Sequence, residues 1–201
     1  MTVFLVLLAA YAIGGIPFGY IIVRLATGRD IRSSGSGNIG ATNVLRTTSR
    51  TLGILTLVLD ISKGVLAVWL ADRFLNGSLL WMSATTLAVM AGHAFPAALR
   101  FRGGKAVATF IGAFLYLTPV PLLSILVLFV VAVALSRFIS LGSVVAAGLF
   151  PLAVWLIDHP PWYVTSAAVL AGAFIVFRHR ANLARIREGN ENVFTFGGRQ
   201  H

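Results

Sequence analysis

Three polar stretches interrupt an otherwise apolar chain, and each carries residue types suited to holding phosphate. The first, SGSGNIGATNVLR (Ser34–Arg46), sets Gly37 and Gly40 among Ser36, Asn38, Thr42 and Asn43 and closes on Arg46. Glycine reaches positive φ without a Cβ penalty, so neighbouring backbone N–H groups can converge into an anion-binding nest. The neutral side chains add hydrogen bonds, and Arg46 adds a planar fork that fits phosphate oxygens. The second stretch, GHAFPAALRFRGGKAVAT (Gly92–Thr109), places Gly103, Gly104 and Lys105 where a short helix opens. A helix N-terminus presents unpaired N–H groups and a favourable dipole to anions. The third, FRHRANLARIREGNENVF (Phe177–Phe194), offers His179 and Asn182 at i, i+3 with Arg185 three residues further. A free imidazole titrates at about pH 6.5, so His179 suits proton transfer. His93 is the weaker histidine, read mainly as structural.

Simpler readings stand beside these. The first stretch also fits a cytoplasmic loop with a helix N-cap. Arg100 and Arg102 fit ordinary charge anchors beside a membrane. The third also fits a basic amphipathic tail lying on anionic lipid, against which Glu188 and Glu191 weigh. Gly35-Ser36-Gly37-Asn38-Ile39-Gly40 matches G-x-G-x-x-G, but a dinucleotide fingerprint needs a strand before it, and here an apolar helix precedes it. A Walker A loop fails as well, because Leu99 and Ala106 stand where glycine and Ser/Thr are required.

The elements that must position these residues are membrane helices. Of 201 residues, 58% are hydrophobic and 11% charged, a balance outside the soluble range. Apolar runs near the roughly 20 residues needed to cross hydrocarbon lie at Val3–Leu25, Thr51–Leu70, Leu79–Leu99, Val120–Leu135, Phe138–Ile157 and Trp162–Phe177. A seventh, Val107–Leu117, is short and ends at Thr118-Pro119-Val120-Pro121, a turn signal. The first run lacks a basic leader and is read as a span, not a signal peptide.

Seven spans with the N-terminus outside put every basic residue except Lys63 and Arg73 within or beside cytoplasmic segments, including the tail's Arg178, Arg180, Arg185, Arg187 and Arg199. That asymmetry sets orientation: N-out, C-in. The net charge of +10 therefore reflects topology rather than nucleic-acid binding. All three polar stretches then emerge at the cytoplasmic face. Asp60 and Lys63, at i, i+3 inside a span, read equally as a buried ion pair or as catalytic groups. The absence of cysteine excludes disulfides, thiolate metal sites and a Cys nucleophile. No metal and no cofactor is implied. No internal repeat accompanies the basic sites, which disfavours the competing reading as an organic-phosphate transporter.

SGNIGATN (Ser36–Asn43) with Arg46, GHAFP…FRGGKAVAT, HRANLARIREGNE (His179–Glu191), DISKG (Asp60–Gly64) and GGIPFGY (Gly14–Tyr20) together resemble the bacterial acyl-phosphate:glycerol-3-phosphate acyltransferases, the PlsY family. The resemblance spans essentially the whole chain, as one membrane-embedded domain. It implies a multi-pass inner-membrane enzyme that moves a fatty acyl group from acyl-phosphate to the 1-hydroxyl of glycerol 3-phosphate, giving lysophosphatidic acid and phosphate. A single chain, acting as a monomer within the bilayer, is the expected unit, with no nucleic-acid partner. Ser36, Lys105, His179 and Asn182 are the expected catalytic residues. Gly37, Asn38, Gly40, Thr42, Asn43, Arg46, Gly103, Gly104, Arg185 and Glu191 are the expected substrate and phosphate ligands. Two positions depart from the family pattern: Ala106 stands where GGKG has its last glycine, and Leu183 follows Asn182 where isoleucine is usual.

Overall fold

A computed structural model describes residues Met1–Phe194, and among these every regular element is a helix. Arg199, counted above with the basic tail, lies outside the described residues. The chain divides into two compact units, the first ending at Leu117 and the second beginning at Thr118.

The first unit holds α1 (Thr2–Gly14), α2 (Phe18–Thr27), α3 (Ala41–Thr47), α4 (Arg50–Phe74), α5 (Leu79–Ala94) and α6 (Val107–Leu117), with 3-10 turns at Ile31–Ser33 and Ala97–Leu99. The run expected as one helix over Val3–Leu25 is broken, because Gly15, Ile16 and Pro17 separate α1 from α2. Proline has no N–H to give and disfavours the helical region for the residue before it, so the ladder fails there. The Ile16 carbonyl finds other donors, the Phe18 N–H at 3.1 Å and the Lys63 ammonium at 3.0 Å. Lys63 thus sits in an apolar helix where a broken one needs a donor.

Helix α4 is the centre of this unit and packs against α1, α2, α3, α5 and α6. Ser49 caps its start by accepting the Leu52 N–H. Its contact with α6 is close because glycines face backbone on both sides: a Cβ on Gly64 would collide with the Thr109 carbonyl, and one on Gly112 with that of Ile61. Small residues of this kind let membrane helices approach closely enough for dispersion to hold them.

The second unit holds α7 (Pro119–Ser136), α8 (Ile139–Asp158), α9 (Trp162–Arg178) and α10 (Arg180–Arg187). Thr118 alone separates α6 from α7, and Pro119 opens the new helix, where a missing N–H costs nothing. Helix α8 packs between α7 and α9, and α10 touches both α8 and α9. Leu123, Val127, Val130 and Val131 leave α7 with an exposed apolar face, as hydrocarbon solvent permits.

Five stretches are long and apolar enough to cross a bilayer: Thr2–Thr27 taken through its break, Arg50–Phe74, Leu79–Leu99, Pro119–Ser136 and Ile139–Asp158. Trp162–Arg178 with Arg180–Arg187, bent by 49°, makes a sixth, and Val107–Leu117 is shorter.

Candidate active site

The Ser34–Gly40 loop is built around Asn43. This side chain is 2% exposed; its amide donates to the carbonyls of Ser34 (3.0 Å) and Asn38 (2.8 Å), and its oxygen accepts the Ser36 N–H at 3.0 Å. Asn43 is therefore the internal post of the loop. Gly35, at φ +56, is needed because a Cβ would strike the Asn43 amide oxygen. The Asn38 side chain accepts the Gly40 N–H at 2.8 Å, a local turn that leads into α3. Ser36 and Thr42 are exposed, and Arg46 lies one turn after Thr42 on α3.

The second loop runs from α5 to α6. Arg100, Phe101 and Ala106 hold φ of 53°, 61° and 63°, the left-handed region in which a Cβ is strained. Ala106 thus occupies a glycine-type conformation at the position where the sequence departs from GGKG, and it is 1% exposed. Ile31, Ile39 and Val44 from the first loop and α3, Val23 from α2, and Leu99 from this second loop form one buried cluster. One apolar seat therefore anchors both glycine loops of this unit.

The expected amide nests differ from what the glycines build. The N–H of Gly37 donates to the Ser34 carbonyl and that of Gly40 to Asn38; those of Gly103 and Gly104 donate to the carbonyls of Ala94 and His93. Buried or turn-forming amides take the nearest acceptor rather than remain unpaired. These glycines permit turns and close approach. His93, Asp60 and Lys63 are 4%, 2% and 3% exposed, with the Lys63 ammonium 2.6 Å from the Asp60 carboxylate.

In the second unit, His179 stands at the bend between α9 and α10 and is 3% exposed. Its Nδ1 donates to the Ile175 carbonyl at 2.8 Å, since a carbonyl can only accept. In the neutral ring that proton placement makes Nε2 the basic nitrogen. The expected i, i+3 relation holds, for Asn182 is also buried. Gly189, at φ +73, ends α10 and turns the chain back. Glu191 then meets three donors: the Asn182 amide at 2.6 Å, the Ser140 hydroxyl at 2.9 Å and the Arg185 Nε at 2.8 Å. Burial pushes the Glu191 carboxyl up, but these three hydrogen bonds outweigh it and hold the group below the usual glutamate range.

A family model described as glycerol-3-phosphate acyltransferase matches residues 4–189. The chain belongs to that family. It is 44% identical over 188 residues to a glycerol-3-phosphate acyltransferase of Geotalea daltonii, covering 94% of this chain and 95% of the relative. It is 47% identical over 185 residues to the one of Geobacter sulfurreducens, covering 92% and 94%. Among solved structures, PlsY, an integral membrane glycerol 3-phosphate acyltransferase in its glycerol 3-phosphate form, aligns with a TM-score of 0.91 at 32% identity over 97% of this chain and 96% of its own. Its lysophosphatidic acid form aligns with a TM-score of 0.87 at 31% identity.

Within this acyltransferase-family chain, Ser140 was missed by sequence reasoning. It sits in the first turn of α8, next to no motif, and only the fold brings it to Glu191. The Arg185 guanidinium meets the Glu191 carboxylate, a pairing that sequence spacing alone did not show.

Proposed function

We propose that this chain transfers a fatty acyl group from acyl-phosphate to the 1-hydroxyl of glycerol 3-phosphate, releasing phosphate and lysophosphatidic acid. The observation that carries the reading is the agreement, along nearly the whole chain, with a glycerol 3-phosphate form of PlsY. The chain spans a bacterial inner membrane seven times, α6 being the short crossing, with its N-terminus outside and its polar loops in the cytoplasm. It works as a monomer without metal or cofactor.

An acyl-phosphate is already an activated mixed anhydride, so no acyl-enzyme is required. The acceptor hydroxyl oxygen bonds to the acyl carbon, the acyl–phosphate C–O bond breaks, and phosphate leaves with that electron pair. The hydroxyl proton passes to His179 Nε2; the hydrogen bond from Nδ1 to Ile175 supports this choice over the leaving phosphate. Catalysis is then positioning and charge stabilisation. Arg46 and Lys105 oppose the repulsion between two phosphorylated substrates, with Arg185 sharing its charge between Glu191 and phosphate. Ser36, Thr42 and Asn182 orient phosphate and hydroxyl groups. Asn38, Asn43 and the four glycines shape the loops that present them, and Glu191 fixes Asn182.

Donor choice tests this reading. Purified protein given glycerol 3-phosphate is expected to form lysophosphatidic acid from palmitoyl-phosphate and none from palmitoyl-CoA. Equal use of the thioester would refute it. A stable acyl group on Ser36, found by mass spectrometry after donor alone, would refute the direct transfer.

A further inference from the structure

Asp60, Lys63 and His93, all buried in the first unit, take no part in the steps above, yet His93 touches the loop that carries Lys105. His93 holds that loop in two ways. Its carbonyl accepts the Gly104 N–H at 3.2 Å, beside the Ala94 carbonyl that accepts the Gly103 N–H at 3.1 Å. Its ring edge at Nε2 fills the space where any side chain at 104 would have to go. The other ring nitrogen, Nδ1, lies 3.6 Å from the Asp60 carboxylate, which also pairs with Lys63. Lys63 in turn donates to Ile16 in the break between α1 and α2. The loop so held contains three non-glycine residues at positive φ, a conformation that persists only where its surroundings enforce it. Replacing a buried ion pair by apolar packing of the same volume is often neutral or stabilising, and ionisable groups inside membrane spans commonly mark functional positions.

We propose that Asp60, Lys63 and His93 are positioning residues that seat Gly103-Gly104-Lys105 and thereby aim Lys105 at phosphate. The proposal rests on the acyltransferase reading of the site. Asp60 fixes the ring of His93, His93 fixes Gly104, and Lys63 ties both to the break in the first span. None of the three touches substrate.

A double-mutant cycle tests it. His93→Ala is expected to lower kcat at least tenfold in protein that remains monodisperse. In a Lys105→Ala background the same change is expected to cost less than twofold, because the residue it aims is gone. His93→Asn, which keeps an amide donor toward Asp60, carries the same cycle if His93→Ala does not fold. A second readout uses the fact that Lys63 and Lys105 are the chain's two lysines and Lys63 is buried. Amine labelling of Lys105, read by peptide mass, is expected to be slowed by glycerol 3-phosphate in the parent and at least fivefold less so in His93→Asn. Losses that multiply in the double variant, or unchanged protection of Lys105, would overturn the proposal. Inactive parent protein would instead sink the acyltransferase reading, so the two failures are distinguishable.

Discussion

Arg46 and Glu191 show how differently two charged residues of one chain can act. Arg46 lies on α3 beyond the loop, and a charge-assisted hydrogen bond to phosphate is worth about 1.5–3 kcal/mol. Arg46→Ala is therefore expected to raise KM for a phosphorylated substrate by about 10- to 100-fold with a smaller change in kcat. Steady-state kinetics in both substrates checks this. Glu191 acts on its neighbours. Its folded pKa lies below the ordinary 4.5, so the stability it contributes is complete above that value and is lost as pH falls through the lower folded value. Parent protein is expected to lose more stability than Glu191→Gln on acidification from pH 5 to 3, read as the midpoint of thermal unfolding. Asp30, drawn down to about 2 by hydrogen bonds from Arg32, also loses its contribution as pH falls, but both proteins carry it and it cancels in the comparison. The polar stretches of the candidate site were legible in the sequence; the contacts among their side chains were not. Asn43 reads as a phosphate ligand because its spacing is right, and only its contacts with Ser34, Ser36 and Asn38 reveal a support. Ser140 carries no local signal, since its partner is 51 positions away.

Helices α4 and α6 are fixed by glycines, and the loop before α6 by strain. Gly112→Val is expected to force the two backbones apart, costing about 1–3 kcal/mol or more, which thermal unfolding in detergent would register. Ala106 makes a sharper case. Replacing a buried alanine by glycine ordinarily destabilises through a lost methyl and a freer unfolded chain, by about 1–2 kcal/mol together. Here it also relieves a left-handed Cβ worth about 1–2 kcal/mol, so Ala106→Gly is expected to leave stability nearly unchanged. Ala106→Val, β-branched at φ 63, is expected to lower it markedly. Helix positions were readable because hydropathy tracks the bilayer. The break at Gly15–Pro17 was not placed, although Pro17 marks it, because the surrounding residues stay apolar and a span was the simpler reading. Lys63 was the missed hint: an ammonium inside an apolar helix needs an acceptor, and a broken neighbour provides one.

At the scale of the molecule, the proposed orientation rests on the charge asymmetry of the sequence and the proposed reaction on family membership. The chain has no cysteine, so single introduced cysteines report sidedness cleanly. Asn76→Cys is expected to react with an impermeant maleimide from the periplasmic side, and Arg187→Cys only after the membrane is opened; the reverse pattern would invert the topology. The central claim is acceptor-dependent acyl transfer from acyl-phosphate, and phosphate release measures it most directly. Detergent-purified, monodisperse protein would be given palmitoyl-phosphate with and without glycerol 3-phosphate. The account predicts phosphate release that depends on the acceptor and matches lysophosphatidic acid mole for mole. Release indifferent to glycerol 3-phosphate, or none at all from folded protein, would contradict it.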